Sequence, residues 1–190
     1  AIEYVRKHKI PYFGLCYGMQ LAVVEFARNV LKWKDAHTTE VDSKSTHPVI
    51  DIMPEQKDNL AESKYGATMR LGAYPCVLKK GTIASKAYSL AGAKIAGAKI
   101  AKNGGKIISE RHRHRYEVNP DFIEEIEKAG LVFSGISPDR RLMEIAELPR
   151  NIHPFFLGVQ FHPEFLARPL SPHPLFTAFV KAAIEKGKGK

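Results

Sequence analysis

Residues 10–20 read Ile-Pro-Tyr-Phe-Gly-Leu-Cys-Tyr-Gly-Met-Gln, an apolar run that ends in a cysteine between two glycines. The run at 10–15 predicts a short buried strand, and apolar residues spaced three and four apart over 19–33 predict a helix. Glycines on both sides of the cysteine allow the chain to reverse sharply between the two elements. The sequence therefore predicts a strand, a tight turn and a helix, with Cys16 at the turn.

A cysteine at this position is a candidate nucleophile. A thiol at a helix N-terminus lies at the positive end of the helix dipole, which favours the thiolate. A buried cysteine in a glycine-rich turn would give the same pentapeptide, so the assignment needs a partner residue elsewhere in the chain.

The segment 158–165, Gly-Val-Gln-Phe-His-Pro-Glu-Phe, supplies that partner, because its apolar strand leads into His162 and then Glu164. In an extended chain residues two apart face the same side, so Glu164 can orient the imidazole of His162. Together the two segments predict Cys16 as nucleophile, His162 as base and Glu164 as the carboxylate that orients it.

The rest of the chain alternates between strand and helix patterns. Strands are predicted at 48–54, 107–118, 131–136, 142–148 and 155–161, with short strands and a turn over 69–90. Helices are predicted over 120–129 and 173–186, and the first residues also have helical spacing. The block Ala-Gly-Ala-Lys-Ile occurs twice in succession at 91–100, and we assign it no chemistry. The pattern predicts an α/β fold, with one sheet layered by helices and an antiparallel excursion in its middle.

Length and composition favour a single domain over 1–190 that ends in a Lys/Gly tail at 187–190. The chain has 190 residues, of which 44% are hydrophobic, enough for one core. No apolar run is long enough to span a bilayer and the first residues do not resemble a signal peptide, which predicts a cytoplasmic protein with no membrane partner. The two cysteines do not form a disulfide framework, and Cys76, in an apolar strand, is predicted to be core.

The net charge of +9 raises the question of a nucleic-acid partner. The basic residues are scattered and accompany no nucleic-acid-binding motif, so we expect no such partner. Arginines and histidines alternate over 111–115, which places the arginines on one face of a strand and the histidines on the other. His112, His114 and His162 are possible zinc ligands, but no cysteine or carboxylate spacing completes that site, so no metal is predicted.

Residues 14–20 and 160–165 resemble the two triad motifs of the class I glutamine amidotransferases. Within that family the segment 110–119, supported by 25–30, 47–56 and 68–73, resembles the CTP synthase branch, and the resemblance runs from about residue 10 to 183. Tyr17, where leucine is more usual, and the repeat at 91–100 depart from the pattern. The resemblance implies the class I glutamine amidotransferase (flavodoxin-like) fold, a layered sheet with a nucleophile elbow.

The resemblance also implies roles for individual residues in glutamine hydrolysis by a Cys16, His162 and Glu164 triad. The residues implied to contact glutamine are Tyr17, Gly18, Met19, Gln20, Glu40 and Arg115. Among them, the Tyr17 N–H would donate to the oxyanion, Glu40 would bind the substrate ammonium and Arg115 its carboxylate. For Glu40 a solvated loop acid is the alternative, and Arg70 falls where the family has a loop near a GTP effector.

The resemblance implies that the ammonia serves the ATP-dependent amination of UTP to CTP. ATP and Mg²⁺ would belong to a synthetase domain of the same polypeptide, GTP would be an allosteric effector, and the full-length protein would be a homotetramer. No cofactor is expected in this chain. The alternatives are another class I amidotransferase or γ-glutamyl hydrolase, and an inactive truncated remnant with an assembly role.

The resemblance further implies that the domain is incomplete at its N-terminus. The strand at 10–15 should then lack sheet neighbours, and the isolated chain should aggregate and have negligible glutaminase activity.

Overall fold

The computed structural model describes residues 1–52, 69–90, 99–100 and 105–189, with the pair 99–100 described by its backbone alone. The helices in these ranges are α1 (Ile2–Lys7), α2 (Tyr17–Asn29), α3 (Ile83–Leu90), α4 (Ile123–Lys128) and α5 (Pro174–Lys188), and 3₁₀ turns cover Pro120–Phe122 and Pro163–Phe165. The strands are β1 (Tyr12–Leu15), β2 (Ile50–Ile52), β3 (Arg70–Leu78), β4 (Lys99–Ile100), β5 (Lys106–His114), β6 (Tyr116–Val118), β7 (Val132–Ile136), β8 (Met143–Glu147) and β9 (Phe156–Val159). The predicted strand residues 53–54 and most of the repeat at 91–100 lie outside the described residues.

Most of these strands belong to one sheet, in the order β1-β9-β8-β7-β3-β5-β4, and β2 and β6 form a separate antiparallel pair. Strands β1 and β9 are parallel, and the other neighbours in the large sheet are antiparallel. The predicted antiparallel excursion therefore extends over most of the described sheet.

Helices cover both faces of this sheet. Met19, Val23 and Phe26 of α2 belong to the core on one face, whereas Tyr88 of α3 and Leu175 of α5 belong to the core on the other. In β9, Phe156 enters one core whereas Leu157 and Val159 enter the other, as the period of two in a strand requires. The layered arrangement predicted from the sequence is confirmed. No helix among the described residues is both long and apolar enough to cross a bilayer.

Residues 83–90 correct one prediction, because they form α3 instead of a strand. The hydroxyl of Thr82 accepts a hydrogen bond from the Ser85 N–H at 3.2 Å, and the Glu147 carboxylate accepts from the N–H groups of Ile83 and Ala84 at 2.6 and 3.1 Å. These acceptors satisfy the free donors of the first helical turn. One of these capping residues, Glu147, belongs to the distant strand β8, and the local periodicity of the sequence cannot reveal such a contact.

The prediction that the strand at 10–15 lacks sheet neighbours is wrong. Strand β1 pairs with β9 along its full length, in the register Tyr12 with Phe156 through Leu15 with Val159. In the described part of the chain β1 is an edge strand. The predicted strand over 107–118 is also divided at Arg115 into β5 and β6, and α2 spans Tyr17–Asn29 instead of 19–33.

Candidate active site

The turn after β1 is built on two glycines that face the first turn of α2. Gly14 and Gly158 are register partners in the β1–β9 pair. A Cβ atom on Gly14 would lie 2.7 Å from the carbonyl carbon of Gly18, and one on Gly158 would lie 2.8 Å from the Cβ of Met19. The absence of side chains at these two positions allows α2 to pack directly on the strands.

Cys16 occupies the N-cap position of α2 in a strained conformation, with φ 50° and ψ −103°. A non-glycine residue with positive φ is uncommon, and such strain is concentrated at functional sites. The surrounding backbone holds it, because the Cys16 N–H donates to the Val159 carbonyl at 2.7 Å and the Cys16 carbonyl accepts from the Gln20 N–H at 3.2 Å. The predicted sharp turn with a cysteine at its apex is confirmed.

His162 and Cys16 follow the carboxyl ends of two neighbouring parallel strands. Strand β1 ends at Leu15, directly before Cys16, and β9 ends at Val159, three residues before His162. Nδ1 of His162 is 2.6 Å from Oε1 of Glu164, and the His162 ring stacks on Phe165 with centroids 5.0 Å apart. A carboxylate only accepts, so Nδ1 carries the proton and Nε2 is left free to accept one. The predicted contact between His162 and Glu164 is present, but a 3₁₀ turn forms it instead of extended chain.

Cys16 opens onto a cleft of about 550 Å³. Four of the residues predicted to contact glutamine also line it: Tyr17, Gln20, Glu40 and Arg115. Two others do not. The Met19 side chain is fully buried in the core, and the Gly18 carbonyl accepts a hydrogen bond from the Tyr12 hydroxyl at 2.8 Å.

The cleft contains residues that the sequence analysis did not assign. Arg113, His114 and Tyr116 line it together with Arg115.

The alternation over 111–115 is confirmed, since Arg111 and Arg113 are exposed and His112 and His114 are buried. Burial lowers the pKa of His112 to about 2 and that of His114 to about 3, with a further contribution from the nearby charge of Arg70. Among the described residues, no group of three or more His, Cys, Asp or Glu side chains is placed to hold a metal ion.

The resting state of Cys16 differs from the predicted thiolate. Burial raises the pKa of the Cys16 thiol to about 11, and the carboxylates of Glu117 and Glu164 act in the same direction. Hydrogen bonds from the Tyr17 N–H and the Gln160 side chain act in the opposite direction but do not outweigh burial. Cys16 is therefore a thiol at neutral pH, and a nucleophilic role would require a base to remove its proton.

A buried cluster of charges lies beside the cleft. Arg70 donates to Glu117 at 3.0 Å and to Glu144 at 2.9 Å, and all three side chains are nearly inaccessible to solvent. One oxygen of each carboxylate has no hydrogen-bond partner among the described residues. One guanidinium cannot neutralise two buried carboxylates, and burial outweighs Arg70 to raise the pKa of Glu117 to about 8.

Glu117→Gln is expected to remove part of the pH dependence of stability. The folded state holds the Glu117 proton more tightly than the unfolded state, whose pKa is near 4.5. The contribution of Glu117 to the free energy of unfolding is thus complete below about pH 4.5 and is lost as the pH rises toward about 8. Each pKa unit of difference between the two states corresponds to about 1.4 kcal/mol. Urea unfolding between about pH 5 and pH 8 should show the variant gaining stability relative to the parent chain as the pH rises.

The matched control for this experiment is Glu185→Gln, on an exposed carboxylate of α5. Its free energy of unfolding should parallel that of the parent across the same pH range. Parallel curves for Glu117→Gln as well would contradict the assignment of a retained proton to Glu117.

Comparisons with known proteins agree with this geometry. The family described as "Glutamine amidotransferase class-I" matches residues 1–182. A CTP synthase of Fibrobacter succinogenes is 53% identical over 190 residues, covering 99% of this chain and 30% of the relative. One of Thermococcus gammatolerans is 51% identical over 190 residues, covering 100% of this chain and 32% of the relative. The chain thus spans about a third of the length of these curated relatives.

A solved structure is also similar. It is described as the glutaminase domain of Trypanosoma brucei CTPS with bound acivicin, and it has a TM-score of 0.81 and 39% sequence identity. The alignment covers 97% of this chain and 64% of the solved one. With the family match across residues 1–182, these similarities show that the chain belongs to the class I glutamine amidotransferases.

Proposed function

We propose that this chain hydrolyses glutamine with Cys16 as nucleophile, His162 as general base and acid, and Glu164 as the residue that orients His162. The observation that carries the proposal is the cleft, which brings Cys16 together with Glu40 and Arg115. A carboxylate and a guanidinium in one cleft complement the two charged groups of an amino acid. Membership of the glutamine amidotransferase family supports the same substrate.

In this proposal, Nε2 of His162 accepts the thiol proton as the Cys16 sulfur attacks the side-chain amide carbon of glutamine. The Tyr17 N–H at the start of α2 provides one hydrogen-bond donor for the oxyanion. Collapse of the tetrahedral intermediate breaks the carbon–nitrogen bond, and the imidazolium returns its proton to the departing ammonia. Water then cleaves the thioester, which releases glutamate and restores the thiol.

The fate of the ammonia is the second part of the proposal. The similarity to CTP synthases supports delivery to an ATP-dependent amination of UTP to CTP by a synthetase domain of the same polypeptide. ATP and Mg²⁺, a GTP effector and a homotetrameric assembly would belong to that longer protein.

The direct test is release of glutamate from glutamine by a polypeptide that joins this chain to its synthetase domain, compared with release from a γ-glutamyl peptide, since negligible activity is expected of the isolated chain. Faster turnover of glutamine supports the proposal. Faster turnover of the γ-glutamyl peptide would favour a γ-glutamyl hydrolase, and no turnover of either substrate would favour a non-catalytic assembly role.

Arg115→Ala is expected to raise the KM for glutamine about tenfold to a hundredfold while changing kcat much less. The lost charge-assisted hydrogen bonds to the substrate carboxylate are worth about 1.5 to 3 kcal/mol. Arg115→Lys should restore the KM only in part, because an ammonium cannot form a bidentate pair. Steady-state glutaminase kinetics measure both values.

Arg150→Ala is the matched control, since Arg150 is 61% exposed and lies 3.7 Å from Glu185 of α5. Its KM should equal that of the parent. An unchanged KM in Arg115→Ala, with weaker binding to DNA, would instead favour a nucleic-acid role for the basic residues.

A further inference from the structure

The sulfur of Cys16 has a polar neighbour to which the proposed mechanism gives no role. Gln160 follows β9 and is completely buried, and its Nε2 lies 3.7 Å from Sγ of Cys16. That distance is within reach of a hydrogen bond to sulfur, whose atomic radius is larger than that of oxygen. The amide group of Gln160 therefore acts on the reacting atom itself.

The direction of this hydrogen bond is fixed by a second buried amide. Nε2 of Gln20 donates to the Tyr116 carbonyl at 2.9 Å and to Oε1 of Gln160 at 3.3 Å. A backbone carbonyl can only accept, so Gln20 must present its NH₂ group, and Gln160 must receive it with its oxygen. The NH₂ group of Gln160 is then left facing the sulfur. Gln20 and Gln160 are called the amide pair below.

Burial makes this arrangement hard to reverse. Gln20 is 3% exposed and Gln160 is fully buried, so water is not available to replace a lost partner. Turning either amide over would place two oxygens or two NH₂ groups against each other. An unmade hydrogen bond of a buried amide is costly, and the chain of donors and acceptors therefore has one favourable direction.

We propose that Gln160 is a further catalytic residue of this site, which donates an N–H to the Cys16 sulfur and stabilises the attacking thiolate, and that Gln20 is the positioning residue that aims it. The inference rests on the proposed role of Cys16 as nucleophile. An N–H donor binds an anionic acceptor more strongly than a neutral one, so it favours thiolate over thiol. The same bond strengthens again when the thioester breaks and the sulfur leaves.

The other groups around the sulfur show why such a donor is needed. The carboxylates of Glu117 and Glu164 disfavour a negative sulfur, whereas hydrogen bonds from the Tyr17 N–H and the Gln160 side chain favour it. Glu40, Arg113, His114 and Arg115 line the same cleft, and His162 lies at the same sheet edge. None of these groups changes between the variants proposed below, so they form a constant background.

The test is the pH profile of Cys16 alkylation by iodoacetamide, with no glutamine present. Gln160→Met keeps a similar shape but removes the donor, and the midpoint of the profile should rise by about one pH unit, a tenfold smaller thiolate fraction at a fixed pH below it. Gln160→Glu should raise the midpoint further, because an ionised carboxylate repels the thiolate. Peptide mass mapping confirms that Cys16, and not Cys76, is modified.

Ser134→Ala serves as the matched control. Ser134 is also buried, and its hydroxyl donates to Glu147 at 2.8 Å. It lies in β7, which β8 and β9 separate from β1 in the sheet. It should lower the melting temperature without moving the alkylation midpoint. An unmoved midpoint in folded Gln160→Met would overturn the inference, and if that variant fails to fold, Gln160→Leu, which also lacks a donor, gives the same decision.

A double-mutant cycle tests the role of Gln20. Gln20→Met should shift the midpoint in the same direction by a smaller amount, and the double variant should match Gln160→Met alone, because Gln20 acts only through its partner. Additive shifts would show that the two residues act independently and would overturn the positioning role. Because no substrate is used, these outcomes are separate from the success or failure of the glutaminase assay.

Discussion

Cys16→Ala is expected to abolish glutamine hydrolysis, with a loss in kcat of about 10⁴-fold to 10⁶-fold, as when other enzymes lose their nucleophile. The substitution removes the atom that forms the thioester, whereas the cleft residues that bind the substrate remain. Binding of glutamine should therefore persist, and the loss should appear in kcat. Glutamate release at saturating glutamine, with a calorimetric measurement of glutamine binding, separates the two effects.

Cys76→Ala is the matched control, because it removes the other thiol of the chain from a fully buried position in the core. It should retain turnover and should lower only stability. A glutamine-mimicking electrophile should label Cys16 in this control and nothing in Cys16→Ala. In a longer polypeptide with a synthetase domain, Cys16→Ala should still form CTP from added ammonia. Loss of that activity as well would mean that Cys16 has a structural role.

Gly158→Ala is expected to lower kcat about a hundredfold and to destabilise the chain by about 1 to 3 kcal/mol. The added Cβ would lie 2.8 Å from the Cβ of Met19 and 2.9 Å from its Cα. Because one of these atoms is backbone, the first turn of α2 must move, and the position of Cys16 moves with it. Kinetics on the folded fraction, with a melting curve, measure the two effects.

Gly135→Ala tests whether the loss of activity is specific to the turn. Its Cβ would lie 2.5 Å from Ile145 and 2.8 Å from the Cys76 sulfur, so the clash is similarly close but involves side chains of the opposite core. This variant should lose stability and keep its kcat. If both variants lose activity to the same extent, general destabilisation explains the result and the geometry of the turn does not.

The sequence was sufficient to predict features that depend on short segments. The turn at Cys16 and the contact between His162 and Glu164 involve residues within a few positions of each other, so spacing and residue type specify them. The alternation of arginine and histidine over 111–115 likewise follows from the period of a strand. The cleft could be anticipated only through family resemblance, because Glu40 and Arg115 lie in separate segments.

Features that depend on pairing between distant segments were not predictable. The amide pair joins residues 140 positions apart, and the bond from Gln20 to Tyr116 joins residues 96 positions apart. Gln160 lies two residues before His162, which was its only signal in the sequence. The pKa of Cys16 was predicted in the wrong direction, because the helix dipole is visible in the sequence but the burial of the thiol is not.

The high pKa of the Cys16 thiol has a consequence for the life of the protein between turnovers. Peroxides attack thiolates, and the oxidation that they begin at sulfenic acid becomes irreversible at the sulfinic and sulfonic stages. A permanently ionised nucleophile in an accessible cleft would be exposed to that damage whenever substrate is absent. Since burial raises the pKa of Cys16 to about 11, the resting sulfur is protonated and resists oxidants. In the proposed mechanism the sulfur is therefore a thiolate only during the attack itself.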